Sequence, residues 1–287
     1  MSLALLLTAL LLAALPAPVR AGLEEVDVSA PEEARQGELV LVSVSNGGPL
    51  LRVAGRFHGQ RVRCFRERGS YACLVGIDLA LEPRDYPLEL TLVGIDGETE
   101  EVGLALRVVP RSYEVQRLTL PPQMVELDEA TLERVVAEQQ RVSSVWEQSV
   151  EGRLWQGAFM VPAVGEITGR FGLRRILNGI PRAPHSGVDI AAPVGTKVVA
   201  ANTGRVLLVD NFYFNGRSVF IDHGLGLFTM YFHLDKALVT EGQHVRRGDW
   251  IGTVGNTGRA TGPHLHWGAR LYDARLDPFS LLRAFGR

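Results

Sequence analysis

At 287 residues the chain is long enough for two domains, and an apolar content of 46% excludes wholesale disorder. A formal net charge of −2 gives no reason to expect a nucleic-acid or anionic-membrane partner.

Residues 1–21 stand apart. An apolar run from Leu3 to Leu15, broken only by Thr8, is followed by Pro16, Pro18 and the small-residue pattern Val19-Arg-Ala21. This reads as a secretory signal cleaved after Ala21, and the run is short for a spanning helix. With no Lys or Arg at the extreme amino terminus, an uncleaved anchor is the alternative reading. The absence of Cys near the cleavage region argues against a lipoprotein. The expectation is an exported protein of the periplasm or cell envelope, with no stable membrane span after cleavage.

Residues 22–110 read as a small β-sandwich of immunoglobulin-like type. Val40, Val42 and Val44, then Leu88, Leu90 and Leu92, then Val102, Leu104, Leu106 and Val108 give short strands, and Asp96-Gly97 is a strong hairpin turn. Cys64 and Cys73 are the chain's two cysteines, and Gly69 between them suggests a hairpin turn. In an exported protein the pair reads as a disulfide; in the cytosol, two buried thiols would be the reading. With no catalytic cluster here, the domain is assigned to positioning, binding or spacing.

Residues 111–160 form a connector and an amphipathic helix. Asp128 predicts a cap for a helix over about 129–150, with Leu132, Val135, Val136, Val142, Val145, Trp146 and Val150 at helical spacing. Such a stripe usually packs on its own protein. The alternative is that this helix and the segment from Leu154 to Met160 lie across a substrate groove.

Residues 161–287 are rich in glycine and short strands: Val198–Ala201, Gly204–Val209, Ser218–Asp222, Leu227–Phe232, Trp250–Val254 and Leu265–Leu271. The stretches 195–204 and 242–252 echo each other loosely. Five chemically apt side chains fall in this part, at His185-Ser-Gly-Val-Asp189, His233 and His264-Leu-His266. Zinc is held by imidazole nitrogen and carboxylate oxygen, and a catalytic site keeps one position open, so two His and one Asp suffice. His264 and His266 lie two apart, so a strand puts both on one face, roughly 6.5 to 7 Å apart at Cα. Pro184 and Gly187 argue against a helix at 185–189, and a bend at Gly187 is expected to bring both side chains to one ion.

At these residues the sequence resembles the lysostaphin/LytM family of zinc endopeptidases, which cleave the peptide cross-links of bacterial peptidoglycan. The likeness runs over roughly 162–280, through Phe171-Gly-Leu-Arg174, the His185 motif, Ala192-Pro-Val-Gly-Thr-Lys-Val, Ile221-Asp-His-Gly, Tyr231-Phe-His-Leu234 and Gly255-Asn-Thr-Gly-Arg-Ala-Thr-Gly-Pro-His-Leu-His266. It implies a mainly β protein ending in an antiparallel β-rich peptidase domain, the duplicated hybrid motif, related to lipoyl and biotinyl carrier barrels. A carrier needs an exposed tip lysine; neither Lys197 nor Lys236 sits in such a motif, so the carrier reading is rejected.

The resemblance further implies one Zn²⁺ on His185, Asp189 and His266, with His233 and His264 as the catalytic pair. A metal-activated water would attack the scissile bond, with His264 the better candidate for general base and His233 for hydrogen bonding to the oxyanion. Which His takes which role stays open. Arg174, Asn178 and Tyr231 are candidate substrate contacts, each with an ordinary structural alternative. His223 reads as a hydrogen-bonded structural residue, and His58 and His244 as surface. The expected partners are peptidoglycan stem peptides, with room for a regulatory envelope protein. Some relatives have lost metal ligands and activate other wall hydrolases, so a non-cleaving wall-binding or amidase-activating module is the second reading. A peptidase acting on proteins is the third.

Overall fold

The computed structural model describes residues 26–46, 50–119 and 127–286, so the expected export signal and Pro121-Pro122 lie outside the described residues. The first eight strands are β1 (Val26–Ser29), β2 (Glu33–Arg35), β3 (Leu39–Asn46), β4 (Leu50–Phe57), β5 (Gln60–Glu67), β6 (Ser70–Gly76), β7 (Asp85–Gly94) and β8 (Thr99–Val109). They hydrogen-bond as one path in the order β1-β3-β6-β5-β4-β7-β8-β2. What holds of the expectation is a small all-β domain with its own core. Its strands share one path, without the break between two sheets that an immunoglobulin-like sandwich has.

Alternation sets the faces. On β7, Tyr86, Leu88, Leu90 and Leu92 point into the core while Asp85 and Glu89 face out. Asp96-Gly97 makes the β7–β8 turn, with Gly97 at φ +86. Cys64 and Cys73 are bonded as a disulfide between directly paired positions of β5 and β6. Strand β3 alternates from Val40 onward, with Ser43 exposed, but its second face is covered at the start, where Leu39 is buried beside Val40. Val40, Val42 and Val44 face the domain's own core, and Leu39 enters the core of the second half.

A connecting segment carries β9 (Val115–Leu118), helix α1 (Glu129–Ser143) and a 3₁₀ turn at Trp146–Gln148. Asp128 caps α1 as expected, its Oδ1 accepting from Thr131 N–H at 2.7 Å. The helix stops at Ser143, short of 150. The chain tightens there so that Val145 enters the aromatic layer of Phe212, Phe220 and Phe228, with Trp146 packed against the last two. Of the apolar stripe, Val135 and Val145 are buried while Leu132 and Val136 are exposed.

The second half comprises β10 (Glu166–Gly169), β11 (Arg174–Leu177), β12 (Ile180–Pro181), β13 (Gly187–Ala191), β14 (Lys197–Val199), β15 (Gly204–Phe212), β16 (Gly216–Asp222), β17 (Leu227–Ala237), β18 (His244–Val245), β19 (Trp250–Val254), β20 (His264–Leu271), β21 (Ala274–Leu276) and α2 (Pro278–Phe285). Its main sheet runs β10-β13-β20-β17-β16-β15-β18, and every pairing within it is antiparallel. The loose echo has a structural counterpart. Gly195 and Gly242 both take positive φ in tight turns, closed by Thr196 N–H to Pro193 and by Gln243 N–H to Thr240, each ahead of a short strand.

The sheet has two covered faces. On one, Leu265, Trp267, Ala269 and Leu271 meet Tyr231, Trp155 and Phe159 in a core that also takes Phe65 and Leu74 from the first domain. On the other, Phe228, Met230 and Phe232 meet α1. The connector therefore splits: α1 lies on one face, and the 154–160 segment joins the core on the opposite one. Helix α2, which hydrophobic patterning does not reveal, starts at the Asp277 cap with Pro278 at its first position. It also fastens the halves together, through Asp277 N–H to Gly37, Leu39 N–H to Ser280 Oγ, and a two-pronged Arg275–Asp78 pair nearby.

Candidate metal centre

Strand register builds the centre. β13 and β20 pair with Asp189 opposite His266 and Ala191 opposite His264, and β17 places Phe232 opposite His266 on the other side. His264 and His266 share one face of β20, as their spacing requires. His185 precedes β13 and is fixed by its backbone, which donates to Leu173 and accepts from Gly172. Gly187 acts differently from the expected bend. It begins β13, and it must be glycine because a Cβ there would stand 2.6 Å from His266 Nε2. Gly169 is needed for the same reason, since its Cβ would lie 2.2 Å from Asp189 Oδ2.

The three expected ligands converge. His185 Nε2 is 3.0 Å from Asp189 Oδ1, His266 Nδ1 is 2.9 Å from the same oxygen, and the two nitrogens are 2.9 Å apart. The second nitrogen of His185 settles its tautomer. Nδ1 lies 2.9 Å from the carbonyl of Arg170, which only accepts, so Nδ1 carries a proton and Nε2 is the nitrogen left to bind a metal or, without one, to donate to Asp189. Two imidazole nitrogens and one carboxylate oxygen crowded so closely call for a cation, and the set is that of zinc, which bonds such atoms at about 2.0–2.2 Å. Alkaline-earth ions prefer all-oxygen sites. Among the described residues this group holds no fourth protein ligand.

The electrostatics agree. Burial would raise the Asp189 carboxyl, but the hydrogen bonds from His185 and His266 outweigh it and hold the group well below the usual carboxylate range. Burial lowers His266, opposed by its bond to Asp189. It thus favours the neutral ring that a metal needs.

His233 and His264 stand beside this group, ring centroids 4.6 Å apart. Simple alternation would send His233 to the core side with Tyr231. A left-handed residue at His233, φ +62, turns it instead onto the face that carries Phe232 and His266. That conformation is pinned by its N–H to the Asn215 carbonyl at 2.8 Å and by Nδ1–H to the Thr257 carbonyl at 2.9 Å. His264 Nδ1–H likewise donates to Gly262 at 2.8 Å, and its Nε2 is 3.8 Å from Asp189 Oδ1. When either ring is neutral, its Nε2 is therefore the acceptor. Burial pushes His233 down to about 4, against the pull of the Thr257 carbonyl, so it stays neutral near pH 7.

The three candidate substrate contacts lie outside this cluster. Tyr231 is corrected to a core residue: its side chain is fully buried, and its hydroxyl meets Thr229 Oγ1 and accepts from Ala201 N–H. Asn178, at φ +50, makes with Gly179 the turn between β11 and β12. Arg174 is exposed on β11, its backbone bonded to Glu114 and its guanidinium 6.0 Å from the Tyr113 ring. His223 is structural as expected, with one nitrogen on the Thr203 carbonyl and the other on Thr229 Oγ1, while His58 and His244 are exposed. Residue-type reasoning misses Arg170, Asn215 and Thr257, which act through backbone carbonyls. The Gly-rich surroundings of Thr257 were the available signal.

A divalent-cation centre of two histidines and an aspartate, flanked by two more imidazoles on an antiparallel sheet, is what the sequence builds. The profile of peptidase family M23 matches residues 183–278. A solved structure described as a peptidase M23 from Pseudomonas aeruginosa is 31% identical, with a TM-score of 0.68 over 87% of this chain and 95% of that one. The chain belongs to peptidase family M23. Among curated relatives, the peptidoglycan DD-endopeptidase ShyA of Vibrio cholerae is 44% identical over 110 residues, 38% of this chain and 26% of that protein. The DD-carboxypeptidase/endopeptidase Mpg of Neisseria meningitidis is 43% identical over 97 residues, 34% of this chain and 22% of that protein. The matched segment thus spans about a quarter of the length of these relatives.

Proposed function

We propose that this chain is an exported zinc metalloendopeptidase that hydrolyses peptide cross-links of bacterial peptidoglycan in the cell envelope. The observation that carries the reading is the convergence of His185 Nε2, Asp189 Oδ1 and His266 Nδ1, with two further imidazoles beside them. The peptidoglycan substrate is supported by the names of the relatives that share the 183–278 segment.

Zinc held by those three residues would act as a Lewis acid on a water and on the scissile carbonyl. The chain's own part is proton handling. His264, with Nδ1–H tied to Gly262, offers Nε2 as general base; once protonated, it can return the proton to the leaving amine. His233 starts as an acceptor because Thr257 holds its only proton, and burial makes it the poorer base. Its fitting first task is to orient the attacking water, and donation to an oxyanion would follow only after it gained a proton. This reverses the simplest assignment for His233. Phe232, flat against His266, and the Arg170 carbonyl on His185 hold the ligands in their working orientation.

The test is the purified chain incubated with peptidoglycan sacculi. One zinc per chain, release of new amines, and loss of both in His266→Ala are expected, and mass spectrometry of the muropeptides identifies the bond. Zinc binding without new amines would point instead to the non-cleaving wall-binding module.

A further inference from the structure

Glu138 lies on α1, well outside the family-matched segment, yet its carboxylate reaches the loop that holds His233. Its two oxygens accept from Tyr213 N–H at 2.9 and 3.1 Å. One turn earlier on the helix, Arg134 fixes that carboxylate through Nε at 2.7 Å and donates to the Asn211 carbonyl at 3.2 Å. Two residues of α1 thus satisfy backbone groups on both sides of the bend after β15. Charge-assisted bonds of this kind are the strong ones.

The bend is tied directly to the site. Asn215, two residues beyond Tyr213, accepts from His233 N–H at 2.8 Å, and Phe214 accepts from Arg259 N–H at 2.9 Å. Gly216 packs so tightly on Thr257 that a Cβ would lie 2.4 Å from it, and Thr257 supplies the carbonyl for His233 Nδ1–H. His233 needs this support because a histidine at φ +62 persists only where its surroundings over-determine it. Docking of α1 has other anchors, namely buried Val135, the Arg141 pairs to Asp210 and Glu241, and Val145 buried just beyond the helix end. The Glu138 bond is aimed at the loop.

We propose that Glu138 is a positioning residue for the reaction, holding loop 213–215 and through it the backbone and ring of His233. The proposal rests on the reading of His233 as a catalytic side chain. By this route a helix outside the matched segment completes the catalytic geometry.

The full-length chain is compared with Glu138→Ala, Glu138→Gln and Arg141→Ala by steady-state cleavage of a cross-linked muropeptide, zinc content, and hydrogen exchange at the His233 amide. Glu138→Ala should lose about tenfold or more in kcat, with KM within about twofold and one zinc retained, since small misplacements of a reacting group have such effects. His233 amide exchange should quicken to a similar degree. Glu138→Gln, which keeps an acceptor oxygen, should recover most of both, and Arg141→Ala should stay near wild type. Unchanged kcat and exchange in Glu138→Ala, or equal losses in Arg141→Ala, would overturn the proposal. If Glu138→Ala does not fold, Glu138→Asp makes the same comparison with a shortened carboxylate. If wild type cleaves nothing, the functional reading falls by itself, and the exchange rates still decide whether Glu138 holds His233.

Discussion

Phe232 lies flat on His266, with ring centroids 5.2 Å apart and planes within 4° of parallel. The two are directly paired on β17 and β20, and Phe232 also belongs to the aromatic layer beneath α1. The metal-facing imidazole is therefore part of a packed stack, and its orientation depends on apolar contacts as well as on hydrogen bonds. Phe232→Leu keeps most of the apolar volume while removing the stack. Zinc affinity, measured by competition with a chromophoric chelator, is expected to fall about tenfold, the lower end for residues that support a ligand. Affinity equal to wild type would mean that β20 alone orients His266.

The catalytic pair is separable from the ligands. His233→Ala and His264→Ala should each retain one zinc while kcat drops about 10²–10⁴-fold, the usual worth of general acid–base groups. Zinc stoichiometry by atomic emission beside steady-state rates makes the distinction. A variant that loses metal and activity together would be reassigned as a ligand.

Much of this centre was readable from residue types, because His and Asp side chains are rare enough that their spacing on a strand constrains where they point. Its support was not readable. The groups that fix the tautomers of His185, His233 and His264 are carbonyls of Arg170, Thr257 and Gly262, and every residue has a carbonyl. Tyr231 was drawn toward the groove by its place in a motif, although its position on β17 sends it to the core. The helix expected to reach 150 ends at Ser143 because burial of Val145 and packing of Trp146 outweigh a continuing apolar period. Helix α2 is eight residues long, too short for periodicity to announce it, and only Asp277-Pro278 hinted at its start.

Tyr231 gives a test of that correction. Removing its hydroxyl leaves Ala201 N–H without its buried partner, while Thr229 Oγ1 keeps His223 Nε2, and the orphaned donor costs about 1–3 kcal/mol. Tyr231→Phe should therefore unfold at lower urea while its kcat and KM at 25 °C stay at wild-type values. A raised KM with unchanged stability would return Tyr231 to the substrate.

The disulfide closes a short hairpin loop between β5 and β6, far in sequence from the metal ligands. Loop-closure entropy assigns it about 2–3 kcal/mol. Cys64→Ser with Cys73→Ser should lower the melting temperature yet leave zinc content at one per chain. Loss of zinc in that variant would show that the first domain is needed to hold the centre.

His223 links the fold to pH. Its ring is fully buried between the Thr203 carbonyl and Thr229 Oγ1, and burial pushes its pKa down to about 4, against an unfolded value near 6.5. Because the folded pKa is the lower one, the unfolded chain binds this proton first as pH falls. The contribution is fully present above about pH 6.5 and is lost progressively toward pH 4, by about 3 kcal/mol. Neighbouring Asp222, raised by burial against bonds from Ser149, Val150 and Gly224, works in the opposite sense. Comparison with His223→Gln isolates the imidazole. Urea unfolding at pH 7, 6, 5 and 4 should show wild type losing stability more steeply than the variant across this window. Parallel curves would mean that His223 is protonated in the folded state as readily as in the unfolded one.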